Sequence, residues 1–66
     1  MKLCFDESTD TLYLRLDEST IVESEEVEPG VVLDFNAENQ VVGIELLKIT
    51  SRISRANLKQ LEFKVA

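Results

Sequence analysis

Glu25-Glu26-Val27-Glu28-Pro29-Gly30-Val31-Val32-Leu33-Asp34-Phe35-Asn36-Ala37-Glu38-Asn39-Gln40-Val41-Val42-Gly43-Ile44-Glu45-Leu46-Leu47 decides the fold of this chain. It holds the only proline, both glycines and the clearest two-residue periodicity. Val31, Leu33 and Phe35 alternate with Val32 and Asp34, which gives one apolar and one mixed face, the signature of a strand. Val42, Ile44 and Leu46 repeat the pattern after a short loop. Asn36-Ala37-Glu38-Asn39 reads as a type I turn closed by a left-handed residue, and Asn39 suits that position because its short polar side chain tolerates positive φ. Gly43 inside the second strand predicts a bulge or a close approach by another backbone. Pro29-Gly30 occupies the two centres of a type II turn. Such a turn fits the twist of a tight hairpin poorly, so a hairpin and a bent strand with an edge bulge both remain open.

Upstream, Lys2-Leu3-Cys4-Phe5 and Thr11-Leu12-Tyr13-Leu14-Arg15-Leu16 alternate on either side of the turn-forming run Asp6 to Asp10. They predict a hairpin over residues 2–16 in which Asp6 bonds backbone N–H groups of the turn. Thr20 to Val27 reads as a weaker, acidic strand. Its charges discourage edge-to-edge aggregation, which is reason enough for Glu23, Glu25 and Glu26. From Lys48 the character changes. Ile49, Ile53, Ala56 and Gln60 form a narrow helical stripe, or Ser54 caps a shorter helix containing Ala56, Leu58 and Leu61. Leu61, Phe63 and Val65 then alternate as a short closing strand. The predicted architecture is α+β: an antiparallel meander of five to six short strands with one short C-terminal helix. A small, partly open β-barrel is the alternative. Leu14 and Leu33, central in their strands, are expected on one shared core.

The acidic-hydrophobic run Val22 to Phe35, followed by Val41-Val42-Gly43-Ile44-Glu45, resembles the domain of unknown function 2283 family. Asp6 through Leu16 carries the same likeness, which covers most of residues 1–53 and is thinnest in the tail. The resemblance implies a small prokaryotic protein and brings no catalytic residue with it. Asn39 departs from the glycine expected there, and the turn geometry survives that change.

Sixty-six residues make one domain, 1–66. A chain this short buries only about 60% of its unfolded surface, so disulfides, a metal or association usually support it. One cysteine makes no internal disulfide, and the absence of histidine removes the common zinc sites. Association remains, and a homodimer is expected. No positively charged apolar leader opens the chain and no run reaches the ~20 residues of a membrane span; the expectation is a cytoplasmic protein.

The charge is uneven. Residues 1–47 hold twelve acidic side chains against Lys2 and Arg15, whereas residues 48–66 hold five basic ones against Glu62. A net charge of −6 disfavours phosphate backbones at long range. The leading functional expectation is therefore a protein-interaction module that binds a basic partner, in the manner of an inhibitor or antitoxin. Glu23, Glu25, Glu26, Arg52 and Arg55 are its candidate contacts. A weak divalent-metal or small-ligand site at Glu25, Glu28 and Asp34 is the second reading, should the Pro29-Gly30 bend bring them together. Nucleic-acid contact through the basic C-terminal segment is the third. An enzyme is not expected, and no cofactor is implied. Cys4 has no histidine to activate it, Tyr13 has no accompanying base, carboxylate pairs such as Asp34 with Glu45 arise by chance among thirteen acids, and no glycine-rich phosphate loop exists.

Overall fold

The alternating segments form strands, and each finds its partner through a turn that its own residues specify. The computed structural model, which describes residues 1–66, contains β1 (Lys2–Asp6), β2 (Thr11–Arg15), β3 (Glu23–Glu28), β4 (Val31–Phe35) and β5 (Val41–Leu46). A 3-10 turn at Ile49–Ser51 and a one-turn helix, α1 (Arg55–Leu58), follow. The strands make one open antiparallel sheet in the order β1-β2-β5-β4-β3. The α+β meander stands, and the closed or barrel-like alternative does not form. β1 and β2 meander as one ribbon and β3, β4 and β5 as another. The ribbons join where β2 pairs with β5, Leu14 lying opposite Ile44. Residues 16–22 therefore run across the ends of β5 and β4 to reach β3, a Greek-key connection.

Three turns follow their chemistry. Asp6 accepts bonds from the backbone N–H and the hydroxyl of Ser8, at 3.0 and 2.7 Å. Gly30 has φ 84°, the value of the third residue in a type II turn, and it closes a hairpin between β3 and β4. Hairpin and bulge coexist: the β3–β4 register shifts between Glu26 and Glu28, leaving Val27 as the extra residue. A bulge adds local twist, which relieves the mismatch between a type II turn and the flanking strands. Asn39 is left-handed, with φ 62°. Replacing it with Gly is expected to leave stability unchanged or raise it by no more than about 1 kcal/mol, since Gly takes positive φ without steric strain. A clear loss in a denaturant titration would mean that the Asn39 side chain contributes a bond of its own.

The register sorts side chains onto two faces. Leu3, Phe5, Leu12, Leu14, Val31, Leu33, Ile44 and Leu46 share the apolar face through successive cross-strand pairs. Leu14 and Leu33 flank Ile44 on it, and both are half-buried. The fully buried apolar side chains are Val42 and Ile49.

The C-terminal segment differs most from its sequence pattern. Ile49 to Ser51 turn as a 3-10 segment, held from a distance by Asp10, which accepts from Ile49 N–H, Thr50 N–H and the Thr50 hydroxyl. Ser54 caps α1, its hydroxyl accepting from Asn57 N–H at 3.2 Å, so the shorter of the two helix readings forms, ending before Leu61. Residues 61–65 make no strand. Leu61 and Phe63 instead border an open hollow with Leu3, Leu12 and Leu14 and remain exposed, so the alternating segment faces apolar side chains rather than pairing with a neighbouring backbone. The acidic strand also begins three residues later than its β-branched start suggests, at Glu23.

Candidate functional site

Two features are candidates: a polar cluster on the face opposite the apolar one, and the acidic edge of the sheet. The cluster is built by period-two alternation. Tyr13 and Arg15 of β2, Gly43 and Glu45 of β5, Asp34 of β4 and Ser24 of β3 occupy one side through the pairs Tyr13 with Glu45, Arg15 with Gly43, Asp34 with Gly43, and Ser24 with Asp34. Gly43 makes room for it. A Cβ there would lie 2.8 Å from Asp34 Oδ2 and 2.9 Å from the Tyr13 hydroxyl, closer than real side chains pack. The β4–β5 register also shifts beside it, so the bulge expected at this strand glycine forms, while the close approach comes from side chains rather than from another backbone.

Asp34 is 1% exposed and accepts a 2.6 Å bond from the Ser24 hydroxyl. Burial, reinforced by a hydrogen bond and charge repulsion from Asp34, raises the pKa of Glu45 above its ordinary 4.5. Arg15 donates to the Tyr13 hydroxyl at 3.3 Å and to the carbonyls of Asp17 and Ser19, so it ties the 16–22 link to this face. No buried side-chain polar atom lacks a partner.

The raised pKa has a testable sign. A proton on Glu45 stabilises the fold fully below the ordinary carboxyl range, and that contribution is lost as pH rises through the elevated value. Glu45→Gln keeps the site neutral and is expected to raise the thermal midpoint at pH 7, with no gain at about pH 3 where wild-type Glu45 is already protonated. An equal shift at both pH values would separate the effect from titration. Asp6 and Asp17 behave oppositely. Bonds from Ser8 and Ser19 lower their pKa values, and what they contribute is lost as pH falls through those lowered values.

The acidic edge is β3, exposed along its whole length. Glu23, Glu25, Glu26 and Glu28 give it four carboxylates in six residues. Glu26 accepts from Gly30 N–H at 3.0 Å. The ion pairs of the chain are Lys2–Glu18, Arg55–Glu7 and Lys64–Glu62, so none of the four β3 carboxylates forms one, while Glu26 borders an open hollow at the Pro29-Gly30 turn together with Lys48 and Arg52.

The proposed metal trio is not brought together. A regular hairpin closed by Glu28 and Val31 would place Glu25 opposite Asp34. The Val27 bulge moves the register by one residue, so Glu25 lies opposite Leu33 and Ser24 opposite Asp34. Glu25 and Asp34 then point to opposite faces, and no group of three metal-ligating side chains forms anywhere in the chain. Of the two arginines, Arg52 donates to the Pro29 carbonyl at 3.0 Å and borders the same hollow as Glu26, whereas Arg55 pairs with Glu7 at 3.4 Å. Cys4 is free and exposed beside Tyr13.

Asn36 is the organising residue that sequence reading left as an ordinary turn position. It is 5% exposed. Its Oδ1 accepts from Glu38 and Gln40 N–H at 3.1 and 2.9 Å, while its Nδ2 donates to Ser19 Oγ and Gln40 Oε1 at 3.2 and 3.0 Å. The β4–β5 turn and the 16–22 link are thereby locked to each other.

These features define a small α+β domain with an open antiparallel sheet, a polar face packed around Gly43 and an exposed acidic edge. The family described as "Protein of unknown function (DUF2283)" matches residues 2–49, and the chain belongs to that family. The matched region is the five-stranded sheet and the first residue of the 3-10 turn. Searches of curated proteins and of solved structures each found no match.

Proposed function

We propose that this protein is an interaction module whose β3 edge binds a basic protein partner. The observation carrying this reading is the row Glu23, Glu25, Glu26 and Glu28, exposed on an edge strand and forming no ion pair within the chain. An edge strand offers unpaired backbone groups as well as side chains. Carboxylates pointing to both sides of the strand accept lysine and arginine from a partner lying along it. Charge of one sign along such an edge steers encounter and rejects acidic proteins.

The test is capture from extract of the native cell with wild-type protein and with a variant carrying Gln at positions 23, 25, 26 and 28. A basic protein recovered by wild type at low salt, and lost both in the variant and at high salt, is the expected result. Equal recovery by the two proteins would remove β3 from the account. Recovery of nucleic acid instead, dependent on Arg52 and Arg55, would favour the basic segment as the binding surface.

A further inference from the structure

We infer that the apolar face, with the C-terminal segment laid on it, is the interface of a symmetric homodimer. Half of the exposed large apolar side chains, Met1, Leu3, Ile53, Leu61 and Phe63, border it. Met1 (72% exposed), Leu3 (42%), Leu61 (70%) and Phe63 (73%) surround an open cavity of about 390 Å³ with Leu12 and Leu14. Glu62 is the one charged residue on its wall. A second apolar hollow, bordered by Phe5, Ile53 and Leu58, continues it along the same face. Beyond Ile49, Leu58 is the only residue of the C-terminal segment that is not exposed, so this segment lies over the sheet without sealing it.

The surface area is that of a chain with an uncovered face. A folded monomer of 7.5 kDa is expected to expose about 4,250 Å², and this chain exposes 5055 Å². The excess, about 800 Å², equals one partner's share of an interface of standard size. The radius of gyration agrees: 12.7 Å against about 10.8 Å for a compact domain of this length. An apolar, charge-poor patch is the composition of an interface centre. Because the β3 edge supplies the charge, a basic partner has a different surface to bind. A second copy presents the matching apolar patch through a two-fold axis, and it supplies the support that one cysteine and no histidine leave missing.

Sedimentation equilibrium of the full chain at micromolar concentration is expected to give about 15 kDa, twice the single-chain mass of 7.5 kDa. The double variant Leu61→Glu with Phe63→Glu is expected to sediment as one chain. Both side chains are at least 70% exposed, so neither is needed inside a monomer core. Two measurements on wild type guard against a variant that unfolds. The thermal midpoint should rise with protein concentration, and hydroxyl-radical labelling of Met1 and Phe63 should fall as concentration rises. A concentration-independent mass of one chain, a dimer that persists in the double variant, or a dimer in which Met1 and Phe63 stay fully labelled would each overturn the proposal.

Discussion

Replacing Ile49 with Ala is expected to cost about 2–5 kcal/mol, the range for deleting three methyl or methylene groups from a buried site. Ile49 is 2% exposed and, with Val42, completes the short set of fully buried apolar side chains. Its backbone N–H donates to Asp10 at 2.9 Å, and its carbonyl accepts from Arg52 and Ile53, so the side chain anchors the point where the C-terminal segment leaves the sheet. Small domains hold only several kcal/mol in total. The variant should therefore be largely unfolded near its growth temperature, or lose order from residue 49 onward. A denaturant titration showing a loss under about 1 kcal/mol would mean that the site collapses around the smaller side chain.

Asn36→Ala is expected to be nearly as damaging, at about 2–4 kcal/mol, because it removes four bonds and strands the N–H groups of Glu38 and Gln40. Asn36→Asp keeps the acceptor for those two N–H groups and loses the two donated bonds. It should recover part of the loss. If Asp and Ala variants are equally unstable, the link to Ser19 rather than the turn carries the effect. If both are neutral by thermal melt, water replaces Asn36 without cost and its place at the centre of the loop network is wrong.

The parts of the fold that were legible in the sequence are those fixed within a few residues. Asn39 had to be left-handed if the loop was short, Gly43 had to admit a neighbour, and Asp6 had to bond its own turn. Each of these rests on the conformational range of one residue type. The pairing of β2 with β5 was not legible, because no local pattern states which strand a distant one will join. Asn36 escaped notice for a related reason: its four bonds reach Ser19 as well as its own turn, and a sequence marks turn asparagines without marking burial. The Val27 bulge is the clearest case of a small local feature with a large consequence. One extra residue reversed the face on which Glu25 lies and dispersed the candidate metal ligands. The alternation of Leu61, Phe63 and Val65 misled in another way, since an apolar face attracts such a segment as readily as a strand edge does.

Backbone-amide NMR of the labelled protein, with the basic protein recovered in the capture experiment added, tests the proposed binding by β3 most directly. The account predicts shifts concentrated at residues 23–28 and in the adjoining Pro29-Gly30 turn, diminishing as salt is raised, while Leu3, Leu61 and Phe63 stay unperturbed. Shifts confined to residues 48–66, or centred on the apolar face, would contradict it.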